Sequence, residues 1–224
     1  MYKIYIIPIK EGTEIMTTAV SRPGISPGTP SGPARALIAL SEGVLSVEKL
    51  LVALLMALVL CLILLNVVTR YAGMPLYWVD EAAVYAMVWL TFIGGSALTR
   101  LRLDFAVTLL SEKLSARNAE RLQALATFIA LLFSLGLAVM CWNWMDPIGI
   151  AAAGFDAKAY AGESFNFLYT ERTQTLNWPT WAISLVVPLF AVTMSLHTAA
   201  NLIEELGFAP KKKRRDFSTA EGVN

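Results

Sequence analysis

Residues 50–68 read LLVALLMALVLCLILLNVV, uncharged throughout and broken in polarity only by Asn66. A bilayer core about 30 Å thick needs about 20 mostly apolar residues in a helix rising 1.5 Å each. The stretch is long enough to cross and too uniformly leucine-rich for the surface of a water-soluble domain, so a membrane span is expected at 50–68. The chain around it agrees. Of its 224 residues 56% are hydrophobic and 16% charged, against roughly 45–50% and 25% in soluble domains. Mean hydropathy is +0.58.

Three further stretches meet the same length criterion. Residues 82–98 read AAVYAMVWLTFIGGSAL, short but preceded by Tyr77 and Trp78, which suit a headgroup layer. Residues 122–145 carry only Gln123, Ser134 and Asn143 as polar breaks, and residues 178–202 contain Pro188, whose missing N–H predicts a kink. The expected fold is therefore an all-α membrane protein of four transmembrane helices. Fifteen of the eighteen Lys and Arg residues lie before span one, between spans two and three, or after span four. Since such charges are retained on the cytoplasmic side, both termini are expected there. Trp78, Trp142, Trp144, Trp178 and Trp181 then fall at the outer ends, and Trp89 at membrane depth.

Between these spans the sequence suggests simpler parts. Residues 1–47 are expected to form a flexible cytoplasmic segment. Residues 17–35 are dense in Pro, Gly, Ser and Thr, the run Ile4 to Ile9 is too short for a cleaved leader, and Met16 is a second candidate start. The stretch 36–49 (ALIALSEGVLSVEK) predicts an interfacial lead-in weakened by Gly43. The membrane domain is expected over 48–205. Leu103, Val107, Leu110 and Leu114 recur at helical spacing, which predicts an amphipathic surface helix between spans two and three, with Ser115 as N-cap of the next helix. Residues 146–177 form an aromatic-rich outer (periplasmic) loop, and residues 206–224 a basic cytoplasmic tail whose cluster Lys211 to Arg215 suffices as a topology signal.

Little in the chain suggests chemistry. A net charge of +1 argues against nucleic acid as a partner. Two cysteines and a single histidine, His197, argue against a multi-cysteine zinc site and two-histidine haem, so no cofactor is expected. No nucleophile elbow, phosphate loop or HExxH occurs, no enzyme is expected, and no span carries Asp, Glu, Lys or Arg near its centre, as a self-sufficient ion pathway requires. Charge gathers instead in the outer hairpin. Arg70, Asp80 and Glu81 either complement helix ends, worth about 0.3–1 kcal/mol each, or pair to fix the hairpin or a partner. Gly94 and Gly95 open a small-residue patch for a close helix neighbour, and Trp89 packs beside it or faces lipid. A lone membrane histidine such as His197 is expected to bond a neighbouring helix.

These residues carry a resemblance. Residues 66–100, NVVTRYAGMPLYWVDEAAVYAMVWLTFIGGSALTR, are similar to the small permease subunit of tripartite ATP-independent periplasmic (TRAP) transporters, the DctQ-like family. The likeness is strong over about 50–114 and weaker over 177–205, through TLNWPTWAISLVVPL. Where the family usually shows a histidine and an acid after span two, this chain has Asp104 and Thr108. The resemblance implies a non-catalytic scaffold in a bacterial inner membrane. It would brace a large TRAP membrane subunit that moves substrate, an organic acid, with sodium, while a periplasmic substrate-binding protein delivers the substrate. On this reading Arg70, Trp78, Asp80, Glu81, Trp89, Gly94 and Gly95 hold the hairpin or contact the large subunit. The alternatives are a stand-alone tetraspan membrane interaction protein and a membrane anchor for a redox enzyme.

Overall fold

The computed structural model describes residues 32–102 and 114–210. Four helices are long and apolar enough to cross a membrane. They are α1 (Gly32–Tyr71), α2 (Tyr77–Leu101), α3 (Ala116–Met145) and a fourth built from α6 (Thr180–Ser184) and α7 (Val186–Glu205), with α4 (Pro147–Ala152) and α5 (Ala157–Ser164) between α3 and α6. Among the described residues there is no strand, only an isolated antiparallel bridge between Arg172 and Pro179. The expected surface helix over 103–113 and the basic cluster from Lys211 lie outside the described residues.

The helices run longer than their apolar stretches. At 40 residues, α1 is about 60 Å long, roughly twice the hydrocarbon thickness. Residues 32–47, expected to belong to a flexible segment, instead continue the first span. The reason lies in spacing: Ser41, Leu45 and Glu48, four and three apart, form one buried face, and Gly43 does not interrupt the helix. Likewise α2 takes in Asp80 and Glu81 at its start and Arg100 at its end, and α7 continues past Leu202 through Glu204 and Glu205. Ser115 holds the N-cap position of α3, but its side chain makes no capping bond.

At Pro188 the fourth span is interrupted only at Leu185, whose backbone stays right-handed helical (φ −55°, ψ −22°). Proline cannot donate to the carbonyl four residues back, that of Ser184, so the hydrogen-bond ladder breaks there.

Helix α1 packs along α2, and α3 along α7; α2 lies against α7, and α1 touches α7 as well. Near the turn between α1 and α2, Leu62, Val79 and Ala86 form a small apolar core with Val59, Leu76, Ala82 and Ala83 around it. Large apolar side chains point away from the protein, among them Leu54, Leu64, Phe133 and Met140. The buried set includes Ser41, Glu48, Ser96, Arg100, His197, Asn201 and Glu204. Polar inside and apolar outside suits a lipid solvent, which can face leucine but cannot hydrogen-bond a carboxylate.

Candidate functional site

The hairpin between the first two helices is built from the end of α1 and the start of α2. Asn66 and Arg70, four apart, share a face of α1. The Arg70 Nε donates to Asn66 Oδ1 at 2.8 Å, a terminal guanidinium nitrogen meets Asp80 Oδ2 at 2.7 Å, and the Asn66 amide donates to Asp80 Oδ1. This triangle ties the two helices across the turn at Gly73, whose φ of +74° suits a residue without Cβ. Its ion pair is largely exposed, so it is worth at most about 1 kcal/mol and mainly sets geometry.

Glu81 does something different. Its carboxylate accepts from the backbone N–H groups of Gln174, Thr175 and Leu176 at 2.7–2.9 Å, from the Thr175 hydroxyl, and from Tyr85 at 3.1 Å. The segment that wraps it is the tip of a turn closed by Thr173 N–H to Trp178 O at 2.8 Å and by the Arg172–Pro179 bridge. The two adjacent acids therefore part company: Asp80 joins α2 to α1, and Glu81 clamps the outer loop onto α2.

The remaining sequence-predicted residues lie further along α2. Trp78 is 41% exposed and, with Trp89 and Trp178, lines an apolar cavity of about 370 Å³ between α1 and α6. The Trp89 indole N–H donates to the Ile183 carbonyl at 3.1 Å, beside the interruption before Pro188. A Cβ on Gly94 would lie 4.0 Å from Val52 of α1, and one on Gly95 3.7 Å from Phe190 of α7. Both glycines thus face helices of this chain.

The loop between α3 and α6 is ordered by the end of α3. Asp146, at φ +38°, closes α3 and caps α4 by accepting from Gly149 N–H at 2.9 Å. A Cβ on Gly149 would collide with that carboxylate and with the Tyr160 ring. Tyr160 donates to Asp146 at 2.9 Å, Tyr169 to the Met145 carbonyl, and Asn166 to the Trp144 carbonyl at 2.8 Å, so side chains satisfy carbonyls that the helix end leaves open. Burial first, then the neighbouring Tyr160 and Asp146, push the Tyr169 phenol above its ordinary pKa.

Sequence reasoning missed the network at the opposite end. Arg100 is wholly buried; it pairs with Glu204 at 2.7 Å and Glu42 at 2.8 Å and donates to Asn201 Oδ1. Arg102 bridges Glu204 at 3.0 Å and Glu205 at 2.8 Å, and Thr127 of α3 donates to Glu205 at 3.0 Å. His197 stands between Ser41 Oγ at 2.8 Å and Glu48 at 3.0 Å. The histidine does bond a neighbouring helix, as expected of it. The order Ser41–His197–Glu48 resembles a hydrolase triad, but Ser41 and His197 have no exposed surface to offer a substrate. The legible signal was the spacing of Ser41 and Glu48, seven apart and so on one face of the helix, where both are buried.

Comparison with known proteins adds three facts. The family model described as "Tripartite ATP-independent periplasmic transporters, DctQ component" matches residues 59–207. A curated relative, the C4-dicarboxylate TRAP transporter small permease protein DctQ of Vibrio cholerae serotype O1, is 27% identical over 103 residues. That alignment covers 46% of this chain and 44% of the relative, so the chain spans less than half of the protein it matches.

Proposed function

Because the chain belongs to the DctQ component family of tripartite ATP-independent periplasmic transporters, we propose that it is the scaffold subunit of such a transporter in a bacterial inner membrane. It braces a large membrane subunit, which carries an organic acid with sodium, and works with a periplasmic substrate-binding protein. The V. cholerae relative is named for C4-dicarboxylates, and a dicarboxylate is the proposed substrate class.

One observation carries the scaffold role. The buried ionisable groups bind one another across helices: Arg100 joins Glu42 of α1 to Glu204 of α7, and His197 of α7 meets Glu48 of α1. Groups so committed hold helices in place, whereas a transport pathway needs side chains that exchange partners with an ion. Arg70, Trp78, Asp80 and Glu81 hold the outer hairpin in the form presented to partners, and Trp89, Gly94 and Gly95 seat α2 against its neighbours.

The test is a mild-detergent pull-down of the tagged chain from its own membrane, with mass spectrometry of what comes with it. A large polytopic membrane protein at near-equal amount is expected, and replacing Arg70 and Glu81 together should lower both its recovery and uptake. Recovery of the chain alone, monodisperse and helical, would instead favour the stand-alone tetraspan reading.

A further inference from the structure

A second apolar cavity, of about 710 Å³, lies between α3 and α6–α7 at the outer end, well within the size range of ligand sites. Ala138 and Val192 line its deep end, Trp142 and Trp181 its facing walls, and Phe155 and Tyr169 its outer end. We propose that this cavity binds the acyl chain of an outer-leaflet phospholipid as a fixed structural ligand.

Three observations identify the occupant. The cavity is open along its side: Trp142, which forms one of its walls, is itself 58% exposed, so lipid reaches it sideways. Its outer end is not free to open: Tyr169 and Asn166 hold that loop to the last carbonyls of α3, and Tyr160 holds it to Asp146. A partner's membrane-spanning helix laid between α3 and α7 would have to pass through this roof, whereas an acyl chain terminates inside the membrane and needs no exit. The third is Phe155, an apolar ring at the rim of this apolar cavity that the chain itself leaves 74% uncovered.

The experiment uses the full chain with whatever membrane protein co-purifies, in nanodiscs of phosphatidylethanolamine and phosphatidylglycerol. The probe is phosphatidylethanolamine carrying a diazirine midway along one acyl chain; adducts are mapped by peptide mass spectrometry after illumination. Adducts are expected to concentrate on residues 138–145 and 181–192, several-fold above Leu54 and Phe133 on the open faces of α1 and α3. Ala138→Phe, which fills the cavity, should reduce them several-fold, and Val139→Phe should not. Val192→Phe serves as a second filling variant if Ala138→Phe fails to elute as one helical species, and the unmodified chain's map decides if both fail. Even labelling of all exposed faces, or labelling indifferent to a folded filling variant, overturns the proposal. So does a filling variant that releases the co-purifying protein and leaves labelling unchanged, since the cavity would then seat protein. The scaffold reading stands or falls separately, on whether a large subunit co-purifies at all.

Discussion

Glu81 shows how one carboxylate organises a loop. Three consecutive N–H groups and two hydroxyls converge on it, a concentration of donors that suits an anion better than a neutral amide. Glu81→Gln should therefore loosen the strap locally: amide hydrogen exchange at Gln174, Thr175 and Leu176 should speed up while that of α7 stays as it was. Unchanged protection would mean the turn holds itself. Gly95 carries the opposite lesson. Its Cβ would meet Phe190 at 3.7 Å, an ordinary contact, so Gly95→Ala should be neutral or slightly stabilising, since alanine is favoured by about 1 kcal/mol within a helix. Gly95→Leu should overpack the α2–α7 contact by about 1–3 kcal/mol, read as lower thermal stability in detergent. The sequence marked both residues as interface positions; the distance to Phe190, which decides how much room exists, depends on a residue 95 positions away.

Among the elements, the fourth span shows a neighbouring helix bonding beside a local defect. Pro188 is visible in any reading of the chain, and so is the break in the ladder it causes. That Trp89 of α2 donates to the Ile183 carbonyl beside that break is not, because the two residues meet only when α2 and α6 pack. Trp89→Phe keeps most of the ring and removes the donor. It should lower stability by about 0.6 kcal/mol, with about 1.7 kcal/mol as the upper end for such bonds in a membrane protein, measured by unfolding in mixed micelles. In α1 the legibility was reversed. The apolar stretch 50–68 announces a span, yet the same helix begins at Gly32, within a segment whose Pro and Gly content argued for flexibility. Burial of Ser41, Leu45 and Glu48 against other helices outweighs the weak propensity around Gly43.

For the whole molecule, the network around Arg100 joins α1, α2, α3 and α7 at one end. Arg100→Leu removes the cation between Glu42 and Glu204 and should cost about 3–5 kcal/mol, as breaking a buried ion set does. Arg100→Leu with Glu42→Leu and Glu204→Leu should recover part of that loss, since apolar residues in place of a buried ion set are often neutral and Arg102, which loses Glu204, keeps Glu205. If the triple variant unfolds as readily as the single, the network contributes more than charge compensation. The sequence by itself determined that there are four helices long and apolar enough to cross a membrane and to which family the hairpin points, because hydropathy and a short motif are local properties written in consecutive residues. It also placed Arg70, Asp80 and Glu81 in one hairpin, since a turn of a few residues brings them together whatever the rest does. Only the tertiary structure decided which acid Arg70 takes, what Glu81 clamps, and that Arg100 and His197 lie buried among carboxylates from α1 and α7. Arg100 and His197 lie 58 to 149 residues from those carboxylates in the chain, and nothing in a helical period specifies which helix will stand opposite.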